Sequence, residues 1–186
     1  MRIISGILKG KSINFLKNSN TRPLKDSVRE SIFNVLKHSN LIDVKVEKSN
    51  ILDLYSGVGS FGLEGISRGA RRVTFVEQDK NAANILKENL IHLSIDNYAK
   101  LMNFKVEDVL ESKISEKFHI FFFDPPFNNL DYIQNLKLIK KKKFFKTKHI
   151  VIIHREKKSN NDLSDYIKII FTKKYGRSKI IFGLFN

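Results

Sequence analysis

The stretch 51–54 runs into Gly57-Val58-Gly59-Ser60-Phe61-Gly62, and this junction restricts the possible fold more than any other feature of the chain. Glycines at the first, third and sixth positions let the backbone turn tightly after a strand, approach a ligand closely and seat a helix against the sheet. Glu77 closes the next predicted strand 20 residues beyond Gly57, where its carboxylate can accept from both hydroxyls of a ribose. The pattern predicts a βαβ unit holding an adenosine-containing cofactor. The plainer alternative is a tight turn with no ligand.

The rest of the chain repeats the strand and helix alternation. Strands are predicted over 51–54, 73–77, 101–106, 119–123, 149–154, 166–171 and 179–185, with helices over 61–67 and 80–93. This predicts an α/β chain: a Rossmann-like, doubly wound, mostly parallel sheet of seven strands. Only 172–178 separates the last two strands, too few residues for a helical crossover, so they are expected to form an antiparallel hairpin and give one reversed strand. Ahead of this core, 2–16 reads as a β-hairpin and 25–37 as a helix, with Ser27 and Glu30 spaced as a capping box. One domain over 1–186 is expected, with 1–40 as an extension and 41–186 as the catalytic core. The run 140–143, four lysines, reads as a solvated helix end.

Lys and Arg number 34 against 19 Asp and Glu, a formal charge of +15 that suits a polyanionic partner, nucleic acid first. Fifteen Phe and five Tyr, mostly inside apolar runs, exclude a disordered basic tail. The absence of Cys excludes disulfides, thiolate metal sites and a cysteine nucleophile, and the histidines lack zinc-ligand spacing, so no metal is expected. Apolar runs fall short of the ~18 residues of a membrane span, and Ser5-Gly6 breaks any secretory h-region. A cytoplasmic monomer without a membrane partner is expected.

Charge separates two adenosyl cofactors. Asp53, just before the glycine loop, would repel a pyrophosphate and attract the ammonium group of S-adenosylmethionine. Asp108, past the third predicted strand, falls where a carboxylate can accept from the adenine amino group. Asp124-Pro125-Pro126-Phe127 follows the apolar strand at 119–123, at the carboxyl end where open α/β sheets bind ligands. Prolines fix φ, so the Pro125 carbonyl can be held toward a substrate beside the Asp124 carboxylate, two acceptors for the two hydrogens of an exocyclic amine. Phe127 offers a ring for the base to stack on. Such a clamp localises the lone pair of an aromatic amine toward the donated methyl, and the target base must be unpaired or flipped out.

With these residues the chain resembles the S-adenosylmethionine-dependent methyltransferases, and among them the RsmD-type family that methylates guanine N2 in 16S ribosomal RNA. The resemblance rests on the segments starting at Arg2, Thr21, Asp53, Asp124 and Tyr175. It implies a class I methyltransferase fold, cofactor contacts from Asp53, Tyr55, Ser56, Gly57, Gly59, Glu77, Gln78, Asp108 and Val109, and catalysis by Asp124, Pro125, Pro126 and Phe127. It further implies that Arg2, Lys9, Lys11, Arg22, Lys25 and Arg29 meet 16S RNA in the small subunit or an assembly intermediate. One departure concerns the end of the fifth strand, where His154-Arg155 replaces a usually acidic stretch. The alternatives are a DNA adenine-N6 or cytosine-N4 methyltransferase, a protein glutamine methyltransferase, and a non-catalytic RNA-binding assembly protein.

Overall fold

A strand buried on both faces sends alternate side chains into two separate cores, and the central strands of this protein do so. The computed structural model describes residues 1–16 and 24–186. In chain order the elements are α1 (Asp26–His38), β1 (Asn50–Leu54), α2 (Ser60–Ser67), β2 (Arg72–Val76), α3 (Lys80–His92) and β3 (Ala99–Met102). They continue with α4 (Val106–Ser112), β4 (Phe118–Phe123), α5 (Tyr132–Lys142), β5 (Phe145–Glu156), β6 (Ile167–Tyr175) and β7 (Ser178–Phe185). Ile51, Phe75, Phe122 and Ile152 face a core covered by α1, α2 and α3. Leu52, Phe121, Phe123 and Ile153 face the other, covered by α4 and α5. In the first core Phe61 is stacked between Phe122 at 4.0 Å and Phe33 at 4.9 Å, centroid to centroid.

The sheet runs β3-β2-β1-β4-β5-β7-β6. The pairs from β3 to β5 are parallel, and β7 is antiparallel to both neighbours, the reversed strand expected from the short final connection. Order reverses beside β1, with β2 on one side and β4 on the other, so the carboxyl ends of β1 and β4 bound the ligand crevice of such a sheet. β6 forms one edge and carries exposed Lys168, Lys173 and Lys174. Lys140, Lys141 and Lys142 form the last turn of α5, the helix end predicted for the lysine run, where they oppose the helix dipole.

Two local expectations are corrected and a third is narrowed. The hairpin of 2–16 is short: one antiparallel bridge joins Arg2 and Ser12, flanked by the Ile3 amide donating to the Lys11 carbonyl and the Ile13 amide to the Met1 carbonyl, both at 2.9 Å. Between its two arms other amides turn to α2, Ile4 and Ser5 donating to Glu64 at 2.8 and 3.0 Å and Ile7 to the Ser67 carbonyl at 2.8 Å. Contact there is so close that a Cβ on Gly6, whose φ is +84°, would lie 1.9 Å from the Ser67 oxygen. The capping box does not form, because α1 starts at Asp26 with Lys25 as its uncapped N-terminal residue, leaving Ser27 inside the first turn. The third strand ends at Met102 rather than 106, because Val106, Val109 and Leu110 take helical spacing and turn into the second core.

Candidate active site

Two loops meet where β1 and β4 end. The Asp124 amide donates to the Leu54 carbonyl at 3.3 Å, continuing the β1–β4 pairing by one residue and setting the start of the Asp-Pro-Pro-Phe loop beside the start of the glycine loop. Within the glycine loop, the Gly59 amide donates to the Ser56 carbonyl at 2.8 Å, and the Ser56 amide and hydroxyl both donate to the Val76 carbonyl. Gly59 has φ +86°, and a Cβ there would strike Leu86 Cδ1 at 2.4 Å, so only glycine lets α2 start this close to α3. In front of Gly57 the space is open, with nothing within 4 Å of where a Cβ would stand. Tyr55 takes φ +60°, an uncommon left-handed conformation for a non-glycine residue, at the turn out of β1. Its hydroxyl accepts from the buried Asn135 amide at 2.7 Å, and burial pushes the phenol's pKa up.

Three acids line this junction. Asp53 is 1% exposed; its Oδ2 accepts the Gly62 amide at 2.9 Å, whereas Oδ1 is buried without a partner. Burial is the main cause that pushes the Asp53 carboxyl well above its ordinary pKa, with Asp124 and Glu77 raising it further against the Gly62 hydrogen bond. Glu77, partly buried, accepts from the Gly57 amide at 2.7 Å and the Asp79 amide at 2.8 Å, and burial raises its carboxyl too. Asp124 Oδ1 is bonded to His154 Nδ1 at 2.7 Å.

The sequence-derived residues fall into three groups. Asp53, Tyr55, Ser56, Gly57, Gly59, Glu77, Asp124 and Pro125 converge on the junction, although Asp53 lies beneath the loop rather than open to it. Gln78 and Asp108 are exposed, Asp108 in the first turn of α4, while Val109 packs into the second core with its amide bonded to the Lys105 carbonyl. Pro126 is exposed, and Phe127 is 37% exposed with the edge of its ring against His154.

Among the basic residues Arg2, Lys9, Lys11 and Lys25 are exposed, and Arg22 lies outside the described residues. Arg29 is a correction: it is 0% exposed, pairs with Asp26 at 3.0 Å and Glu64 at 3.7 Å, and donates to the Arg2 carbonyl, so no phosphate reaches it.

Sequence reasoning assigned no role to Arg155, which is 1% exposed and donates to the carbonyls of Pro126 and Phe127 at 3.0 and 2.6 Å. It also missed Asn89, whose side chain bonds the Asn14 backbone and the Val58 carbonyl and so ties the N-terminal segment to the glycine loop. A signal existed for the first, since His154-Arg155 departs from the acidic stretch the resemblance implies; none existed for Asn89. Among the described residues there is no metal-binding cluster of His, Cys, Asp or Glu, and no helix is long and apolar enough to cross a membrane.

Comparison with known proteins adds three findings. A family model described as "Conserved hypothetical protein 95" matches residues 1–183. Proteins called ribosomal RNA small subunit methyltransferase D are similar to the chain: one from Buchnera aphidicola subsp. Baizongia pistaciae is 31% identical over 185 residues, 100% of this chain and 91% of that protein. Another, from Haemophilus influenzae, is 33% identical over 159 residues, 84% of this chain and 79% of that protein. A solved structure from Escherichia coli, 24% identical, overlays 98% of this chain and 96% of its own with a TM-score of 0.82, and the shared fold is that of class I methyltransferases.

Proposed function

We propose, from the premise that the chain belongs to the ribosomal RNA small subunit methyltransferase D family, that it transfers a methyl group from S-adenosylmethionine to the exocyclic N2 of a guanine in 16S ribosomal RNA. The observation that carries this reading is the backbone bond from Asp124 to Leu54, which puts an amine-accepting loop against a nucleoside-binding loop. Three features support the cofactor reading: Asp53 has a buried, unpartnered Oδ1, the space before Gly57 is open, and the Glu77 carboxylate, which this reading assigns to the ribose hydroxyls, is held by the Gly57 amide at 2.7 Å. When bound, S-adenosylmethionine supplies a sulfonium methyl that a neutral amine can attack.

The protein's own groups then position the amine. Asp124 Oδ2 and the Pro125 carbonyl accept its two hydrogens, Phe127 stacks on the base, and Asp124 holds the proton released as the new carbon–nitrogen bond forms. Asp53 contributes negative charge from beneath the loop and orders it through the Gly62 amide. RNA is gathered by exposed Arg2, Lys9, Lys11 and Lys25. Exposed Lys173, Lys174 and Arg177 at the β6–β7 turn add to them, a turn linked to α1 by a hydrogen bond between Tyr175 and Ser31. The substrate is the small subunit or an assembly intermediate, and the enzyme works as a cytoplasmic monomer.

The test is methyl transfer to naked small-subunit RNA, assembled subunits and DNA, with nucleoside mass spectrometry of the product. N2-methylguanosine in RNA is expected, and Asp124→Ala is expected to abolish it while changing cofactor affinity by no more than a few-fold. Methylated adenine or cytosine in DNA, or cofactor binding without transfer, overturns the reading.

A further inference from the structure

We propose that His154 and Arg155, consecutive at the carboxyl end of β5, are positioning residues that lock the 124–127 loop in its amine-accepting geometry, an inference that rests on the methyl-transfer reading. The register explains why they meet the loop. β4 and β5 are parallel with Phe123 opposite Ile153, so the next residues, Asp124 and His154, fall side by side. The two residues on β5 then work from different directions, because consecutive strand side chains leave opposite faces.

His154 holds the carboxylate. Its Nδ1–H donates to Asp124 Oδ1 at 2.7 Å, and its ring meets the Phe127 ring edge-on at 5.6 Å. This bond requires a hydrogen on Nδ1 whether or not Nε2 is protonated. It consumes one carboxylate oxygen, fixes the rotation of the group and leaves Oδ2 for the substrate amine. A free carboxylate would present either oxygen in many rotations, and small errors in acceptor placement are expensive in rate.

Arg155 holds the backbone. Nη2 donates to the Phe127 carbonyl at 2.6 Å and Nη1 to the Pro126 carbonyl at 3.0 Å, but Nη1 reaches the Pro125 carbonyl only at 3.5 Å. All three consecutive carbonyls thus receive a hydrogen bond from one guanidinium, Pro125's the longest, and a carbonyl oxygen with one long bond keeps a second lone pair for the amine. The guanidinium carbon lies 4.7 Å over the Tyr132 ring of α5, which anchors the cation to the second core. Among the described residues no carboxylate pairs with Arg155, and its Nε is buried without a partner. A charge buried at this cost for neutral carbonyls is retained for geometry, since a methionine could fill the same volume.

The experiment compares the wild type with His154→Ala, His154→Asn, Arg155→Met and Arg155→Lys in methyl transfer to small-subunit RNA and particles, with cofactor affinity measured by calorimetry. His154→Ala and Arg155→Met should each lower kcat about 10- to 100-fold while cofactor affinity stays within a few-fold. His154→Asn places an amide hydrogen where Nδ1–H stood and should recover most of the rate. Arg155→Lys should recover only part, because one ammonium does not reproduce a planar two-carbonyl fork. A kcat for His154→Ala close to wild type, or no recovery in His154→Asn, overturns the proposal. Nitrogen NMR of the cofactor-free wild type reads the same bond without turnover: a protonated Nδ1 on His154 supports it, and a bare Nδ1 overturns it. Absence of transfer by the wild type overturns the methyl-transfer reading instead, and the NMR signal still decides whether His154 holds Asp124.

Discussion

Arg29 and Arg155 are both fully buried, on opposite sides of the sheet, yet they are compensated by different chemistry. Arg29 lies among acids, with Asp26 and Glu64 as ion-pair partners, and it also donates to the Arg2 carbonyl. Glu64 in turn accepts from Arg68 at 2.7 Å and from the Ile4 and Ser5 amides. The outcome is a charge-balanced cross-link that fastens the N-terminal segment to α1 and α2. Arg155 has only backbone carbonyls, all in the loop that carries the proposed chemistry. A buried arginine therefore signals neither stability nor function by itself; its partners decide which.

The strongest way to break this contrast is to remove Glu64. Glu64→Gln leaves Arg29 without its buried counter-charge and should cost about 3–5 kcal/mol of folding stability, read as a lowered urea midpoint. A loss of the size of a surface substitution would show that the cross-link is not structural. Arg155→Met should cost less, about 1–3 kcal/mol, because neutral carbonyls are left behind, and transfer should suffer far more than folding does. Equal stability losses in the two variants would erase the distinction between them.

A third measurement sharpens the contrast on the acidic side. Among the described residues Glu64 has two cationic partners and Asp53 has no ion-pair partner, and burial raises the Asp53 pKa. A raised carboxyl pKa means that the stability this group contributes to the cofactor-free protein is present below its unfolded pKa and lost as pH rises through the folded one. A cationic cofactor favours the ionised form, so its affinity should fall as pH drops through a range above the usual carboxylate pKa of about 4. The slope should not exceed about tenfold per pH unit, and Asp53→Asn should flatten it; a flat profile in the wild type would remove the charge argument. The smallest effect separates an exposed cation from a buried one. Lys25→Ala should reduce the logarithmic salt slope of RNA affinity by about 1, whereas Arg29→Lys should leave the slope unchanged.

The centre of the sheet was readable in the sequence because its strands are apolar on both faces and bounded by loops with strong signatures, as in Phe121-Phe122-Phe123 ahead of Asp124. The antiparallel pairing of the last two strands followed from connection length alone, while the insertion of β7 between β5 and β6 did not. What escaped reading depended on competition between partners. The hairpin around Arg2 and Ser12 stays short because Glu64 and Ser67 take the Ile4, Ser5, Ile7 and Leu8 amides, which no pattern within the segment announces. Arg29 stands among the RNA-binding cations only through the resemblance, and nothing in its neighbours along the chain separates a solvated cation from one buried and paired with Asp26 and Glu64. His154 and Arg155 were visible as a departure, but their roles depend on which residue of β4 stands opposite Ile153, a matter of register rather than composition.

The lysines of β6 have a consequence apart from RNA. β6 is a nine-residue strand at the end of the sheet, and Ile169 on it is 45% exposed. A long outer strand is an open template for another chain to extend the ladder, the usual start of aggregation. A second copy docking there would bring Lys168, Lys173 and Lys174 toward their own duplicates, and the like charges would oppose that docking. The lysines therefore act as gatekeepers of solubility, and screening them with salt should make the purified protein more prone to self-association.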